Sequence, residues 1–130
     1  MTTDLWMLVA SALLCHMLTL VYGVGRSQVP GGLGWGLGNR DSSLAVADWT
    51  ARSVRAHLNM LENLTPFAIL VLTAHVTGKA NSMTAIGATL FFLARVAHAV
   101  VYTAGITVVR TVVFFVGVIG EIMILIQLFR

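Results

Sequence analysis

Charge is what this sequence has least of. Only 10% of its 130 residues are Asp, Glu, Lys or Arg, against about 25% in an ordinary soluble domain, and 58% are hydrophobic. That balance excludes a soluble enzyme and leaves no room for a separate soluble domain. Cysteine is almost absent: Cys15 stands alone, so no intrachain disulfide is possible. The four histidines and this one cysteine show no metal-ligand spacing, and no metal is expected. Proline occurs only at positions 30 and 66, so long helices are unobstructed over most of the chain. The eight basic residues, which give a formal charge of +3, are scattered and form no aromatic-basic run. The basicity therefore reads as membrane topology and site chemistry, and no nucleic-acid partner is expected.

Long apolar runs take up the space that charge leaves. Leu5–Val24 offers 20 residues without a formal charge, enough to cross a bilayer at about 1.5 Å per residue. No positive segment or small-residue cleavage pattern accompanies it, so it reads as a first transmembrane helix and not as a leader. Residues 26–48 form the one substantial loop, where Pro30, Gly31, Gly32 and the glycines at 34, 36 and 38 break any helical pattern. Trp35 and Trp49 are placed as interfacial anchors. Asp48 is a suitable N-cap for a second helix over 48–76, and Gly78 a C-cap after it. A third helix is expected over 83–104 and a fourth over 109–129. The fold class is thus all-α, an integral membrane four-helix bundle occupying 1–130. Arg26, Arg40, Arg52 and Arg110 flank one set of connections, Lys79 and Arg130 the other. The positive-inside rule then turns the long loop and the third connection toward the cytoplasm and both termini away.

Two segments place ionisable groups inside these spans. At 100° per residue, Arg52, Arg55, Asn59 and Glu62 fall within about an 80° sector of the second helix, and Arg95, His98 and Tyr102 within about 60° of the third. Both stripes occupy the cytoplasmic half. A charged residue at the centre of a span costs roughly 2.5–3.5 kcal/mol on insertion scales, so such a cluster marks a functional site unless its charges serve only to pair the two helices. Pro66 removes the donor to the Glu62 carbonyl and leaves an acceptor free beside the cluster. Arginines hold carboxylates bidentately, Glu62 suits an ammonium and Asn59 an amide, so a small zwitterionic or polyanionic ligand fits. His16 and Glu121, each roughly 15–17 Å deep from opposite faces, are expected to meet between the first and fourth helices. His57 points about 200° away from Arg55 and leaves the stripe, and His75 reads as interfacial.

The run Arg52-x-x-Arg55-Ala56-His57-x-Asn59-x-x-Glu62-x-x-x-Pro66-Phe67 resembles the second-helix signature of the MAPEG proteins, membrane-associated proteins of eicosanoid and glutathione metabolism. Ala94-Arg95-Val96-Ala97-His98-x-x-x-Tyr102, followed by Arg110, resembles their third helix and its exit, and Gly38-Asn39-Arg40-Asp41 resembles bacterial members, hence a bacterial inner membrane. The resemblance spans the chain. It implies a homotrimer of four-helix bundles with glutathione as co-substrate at subunit interfaces on the cytoplasmic side. Arg26, Arg55, Asn59, Glu62, Arg95, His98 and Tyr102 would bind glutathione, and Arg110 would be catalytic, favouring the thiolate. The second substrate would be a lipophilic electrophile or a lipid hydroperoxide arriving through the bilayer. Asn63 and His98 stand where leukotriene-forming or related members carry tyrosine, which points away from leukotriene synthesis. Two other classes share the length and helix count. A small proton-coupled efflux protein needs an acidic residue in its first helix, which 5–24 lacks, and a non-catalytic scaffold would bind glutathione without forming thiolate.

Overall fold

In the computed structural model, which describes residues 1–130, the chain is entirely helical: α1 Thr3–Ser27, α2 Gly32–Leu37, α3 Asp48–Val76, α4 Ser82–Ala104 and α5 Thr107–Leu128. The sequence expectation missed α2. Its glycines do not forbid one and a half turns, because Gly31 takes the left-handed conformation (φ 75°) and its carbonyl accepts the Trp35 amide. Helix α1 also begins two residues earlier than expected and so takes in Asp4, correcting the reading of an acid-free first helix. Asp4 lies at the helix end, where a carboxylate favours the positive pole of the backbone dipole. Asp48 is the first residue of α3 and not its cap, which falls on Ala47. Gly78, φ 70°, follows α3 where the chain needs a left-handed residue.

Helices α1, α4 and α5 are long and apolar enough to cross a membrane. Helix α3 is longer than any of them at 29 residues, but its polar stripe lowers its hydropathy. Only 25 of 130 residues are buried, so most apolar side chains must be covered by lipid or a neighbouring chain. Helices α3 and α4 each pack on the other and on both α1 and α5, with α4–α5 the most extensive contact, whereas α1 and α5 do not touch. The core runs through the same junction, with the Phe67 and Phe91 rings stacked 3.8 Å apart between α3 and α4. Helix α3 continues through Pro66 without a break.

At one end of the bundle a polar knot joins the first turns of α1 and α4 to the last turn of α5. The Asn81 side chain accepts from the Met83 and Thr84 amides, and Thr84 Oγ1 accepts from the Asn81 amide. Asn81 Nδ2 also donates to Gln127 Oε1, and Thr84 Oγ1 donates to the buried Asp4 carboxylate at 3.2 Å. Removing this capping box by Asn81→Ala is expected to destabilise the protein by about 1–2 kcal/mol, read as a lower thermal midpoint in detergent.

Candidate functional site

The α4–α5 turn forms the other end. Gly105 adopts φ 86°, and Arg52 of α3 reaches 51 positions along the chain to donate Nε–H to the Thr103 carbonyl at 2.9 Å. This long-range cap fixes α3 against the end of α4. From there a polar file runs inward along the α4–α5 seam. The Arg110 guanidinium sits 4.5 Å from the Tyr102 ring centroid. The His98 ring meets Tyr102 edge-on at 5.4 Å and lies 6.3 Å from Phe114. Deeper still is Arg95, only 1% exposed. It donates from Nη1 to Asn59 Oδ1 at 3.2 Å and from Nη2 to the Phe114 carbonyl at 3.0 Å. Its guanidinium also lies 5.1 Å from the Phe114 ring and 5.4 Å from Phe91.

Two of the remaining predicted residues, Arg26 and Arg55, form a second group. Arg26 is held between the rings of Tyr22 and Trp35, at 4.6 and 5.1 Å, and shares with Arg55 a cleft of about 330 Å³ that Leu44, Val46 and Val54 also line. Trp35 is itself fixed by Nε1–H donation to the Ser42 carbonyl at 2.6 Å, and Arg40 lies 5.6 Å from the same ring. The first group is Asn59, Arg95, His98, Tyr102 and Arg110. Arg55 and Glu62 are exposed on α3, on the turns to either side of Asn59. One chain therefore leaves the two groups on different faces, with the α3 stripe connecting them.

A comparison with curated proteins finds no match, but the MAPEG family model covers residues 5–130. The chain belongs to the MAPEG family. That family is a membrane one and includes glutathione transferases and related enzymes as well as non-catalytic members. In this MAPEG chain the motif residues are not all surface ligands in waiting: Arg95 is spent on internal bonds, and Asn59 receives one of them.

The expected His16–Glu121 contact does not form. Helix α4 stands between α1 and α5, His16 is exposed with Nδ1 2.8 Å from the Ala12 carbonyl of its own helix, and Glu121 Oε1 is buried without a hydrogen-bond partner. Depth along two helices says nothing about which faces meet. His57 does leave the stripe, and its ring lies 5.4 Å from Tyr22 of α1. Three features escaped the sequence reading: the Arg52 cap, the Phe114 and Gly117 seat of Arg95, and a cavity of about 610 Å³ lined mainly by apolar residues of α1 and α4, together with Trp49 and Arg52 of α3. Gly117-x-x-Gly120 in an otherwise bulky helix was the one available signal for the second.

Proposed function

We propose that this chain is a membrane-bound glutathione-dependent transferase, with peroxidase chemistry open to the same thiolate, acting on lipophilic electrophiles or lipid hydroperoxides at the cytoplasmic face. The observation that carries this reading is the placement of Arg110 over Tyr102 at the open end of a file of polar groups, within a family that includes such enzymes. Arg55, Asn59 and Glu62 present a cation, an amide and an anion on successive turns of one helix. These match the carboxylate, amide and ammonium groups of glutathione, and Arg26 adds a second cation beside Arg55. The exposure of Arg55 and Glu62 in one chain fits a homotrimer of four-span bundles in which a neighbour completes each site.

In this mechanism Arg110 stabilises the sulfur as thiolate by charge. A guanidinium is not a base at neutral pH, so the thiol proton leaves to water. The thiolate then attacks the electrophilic carbon and forms a C–S bond while the leaving group or opened ring takes the electron pair. With a hydroperoxide, sulfur attacks the distal oxygen, the O–O bond breaks and the alcohol departs; the resulting sulfenic acid condenses with a second glutathione to disulfide and water.

The test is a titration of glutathione into detergent-purified protein, followed by the ultraviolet absorbance of the thiolate. Glu62→Gln removes the partner of the ammonium and is expected to weaken glutathione binding about tenfold, on the order of one charge-assisted hydrogen bond, while leaving the thiolate signal at saturation. No binding by the unmodified protein would overturn the proposal.

A further inference from the structure

Arg95 is the most deeply buried basic residue in the molecule, and the contacts around it are incomplete. Two of its three nitrogens have partners, on α3 and α5, but Nε has none and is shielded from solvent. Glu121 Oε1 is in the same condition. The two groups share a seam. The guanidinium lies against Gly117, where even a Cβ would come within 2.5 Å of Nη2 and 3.0 Å of Nε, and Glu121 is one helical turn beyond Gly117 on the same face of α5. No other acidic residue occurs in α4 or α5; the remaining four are Asp4, Asp41, Asp48 and Glu62, and of these the last is exposed on α3. An uncompensated cation at this depth is unfavourable, and in membranes such groups pair with one another.

From these orphaned atoms we infer that Glu121 is the counter-charge of Arg95, engaging its Nε directly or through one water, and is thereby a positioning residue for the Asn59 amide. The chain of contact is Glu121 to Arg95 to Asn59, from α5 through α4 to α3. Its first link stands independently of the proposed activity; its last rests on the reading of Asn59 as a glutathione contact.

Breaking one side of a buried pair is far more damaging than removing both, because the lone charge stays buried. Thermal unfolding of the full chain in detergent reads this directly. Glu121→Gln, isosteric and neutral, is expected to lower the midpoint by roughly 10 °C, and the double variant Arg95→Met, Glu121→Gln to recover at least half of that loss. Purification of the double variant where Glu121→Gln alone does not fold would support the pair equally. An unchanged midpoint in Glu121→Gln, or losses that simply add in the double variant, would overturn it. The positioning role is read by glutathione affinity in a cycle with Asn59→Ala. Glu121→Gln is expected to weaken binding about fivefold in the native background and not at all once Asn59 is gone, non-additivity being the mark of groups acting through one network. Equal weakening in both backgrounds would leave Glu121 a structural partner only and overturn the positioning role. If the unmodified protein bound no glutathione, the proposed function would fall while the unfolding cycle still decided the pair.

Discussion

Arg110→Ala is expected to abolish the thiolate absorbance of bound glutathione and to lower kcat/KM toward a lipophilic electrophile about 10²–10³-fold, the scale of losing one preorganised donor to a developing anion. Glutathione affinity should change little, because the groups matched to its carboxylate, amide and ammonium lie on α3 and α1, whereas Arg110 meets Tyr102 at the α4–α5 turn. The ring contact holds the guanidinium in place before any ligand arrives, so little is lost in orienting it. Arg110→Lys separates charge from geometry. A lysine keeps the positive charge but gives up the flat face that lies over the ring, and it should recover part of the thiolate signal but not all. If Arg110 were only a positive-inside anchor at the membrane surface, lysine would equal arginine and alanine would leave the thiolate intact, and that pair of results would remove the catalytic assignment.

Gly120→Ala should give the largest loss of stability from the smallest change. Gly87 of α4 and Gly120 of α5 each face the other's backbone: a Cβ at 120 would sit 2.5 Å from the Gly87 carbonyl oxygen and 2.9 Å from the Phe91 nitrogen, and one at 87 would sit 2.6 Å from the Gly120 oxygen. Backbone cannot swing away as a side-chain tip does, so the helices must separate. Overpacking of this kind destabilises by about 1–3 kcal/mol, which for a chain of this size is a drop of roughly 5–15 °C in midpoint. The effect should also reach function, because the seam that would open holds both the Arg95 bond to the Phe114 carbonyl and the Arg110–Tyr102 contact. Gly34→Ala is the control. It lies in the surface helix α2 with nothing within 4 Å of an added Cβ, and its change should stay within about 0.5 kcal/mol. Equal behaviour of the two variants would show that the α4–α5 crossing does not limit stability.

The helical elements were legible because hydrophobic runs of this length have few solutions. Helix ends fall within a few residues of the expected ones, and Gly78, read as a cap, takes the left-handed conformation after α3. Helix α2 was not legible, since a glycine-rich loop and a short glycine-rich helix have the same composition. The stripes were visible as angular sectors, and the structure joins them at one point, Arg95 to Asn59, while Arg55 and Glu62 stay exposed. What angular position could not show was burial. Arg55 and Arg95 look alike in their motifs, yet one is exposed and the other 1% exposed, because Arg95 faces α3 and α5 inside the bundle whereas Arg55 projects from the outer face of α3.

By itself the sequence determined that this is an all-helical membrane protein, that two of its helices carry polar stripes, and that its motifs are those of the MAPEG family. These follow from hydropathy, helical period and residue spacing, which are local quantities. Only the tertiary structure decided which faces meet. It set α4 between α1 and α5, separating His16 from Glu121, sent Arg52 to cap the end of α4, and seated Arg95 on Gly117 between Asn59 and the Phe114 carbonyl. The reason is geometric: period and depth fix a residue's place on its own helix, whereas partners depend on how helices are ordered and how closely small residues such as Gly87 and Gly120 let their backbones approach.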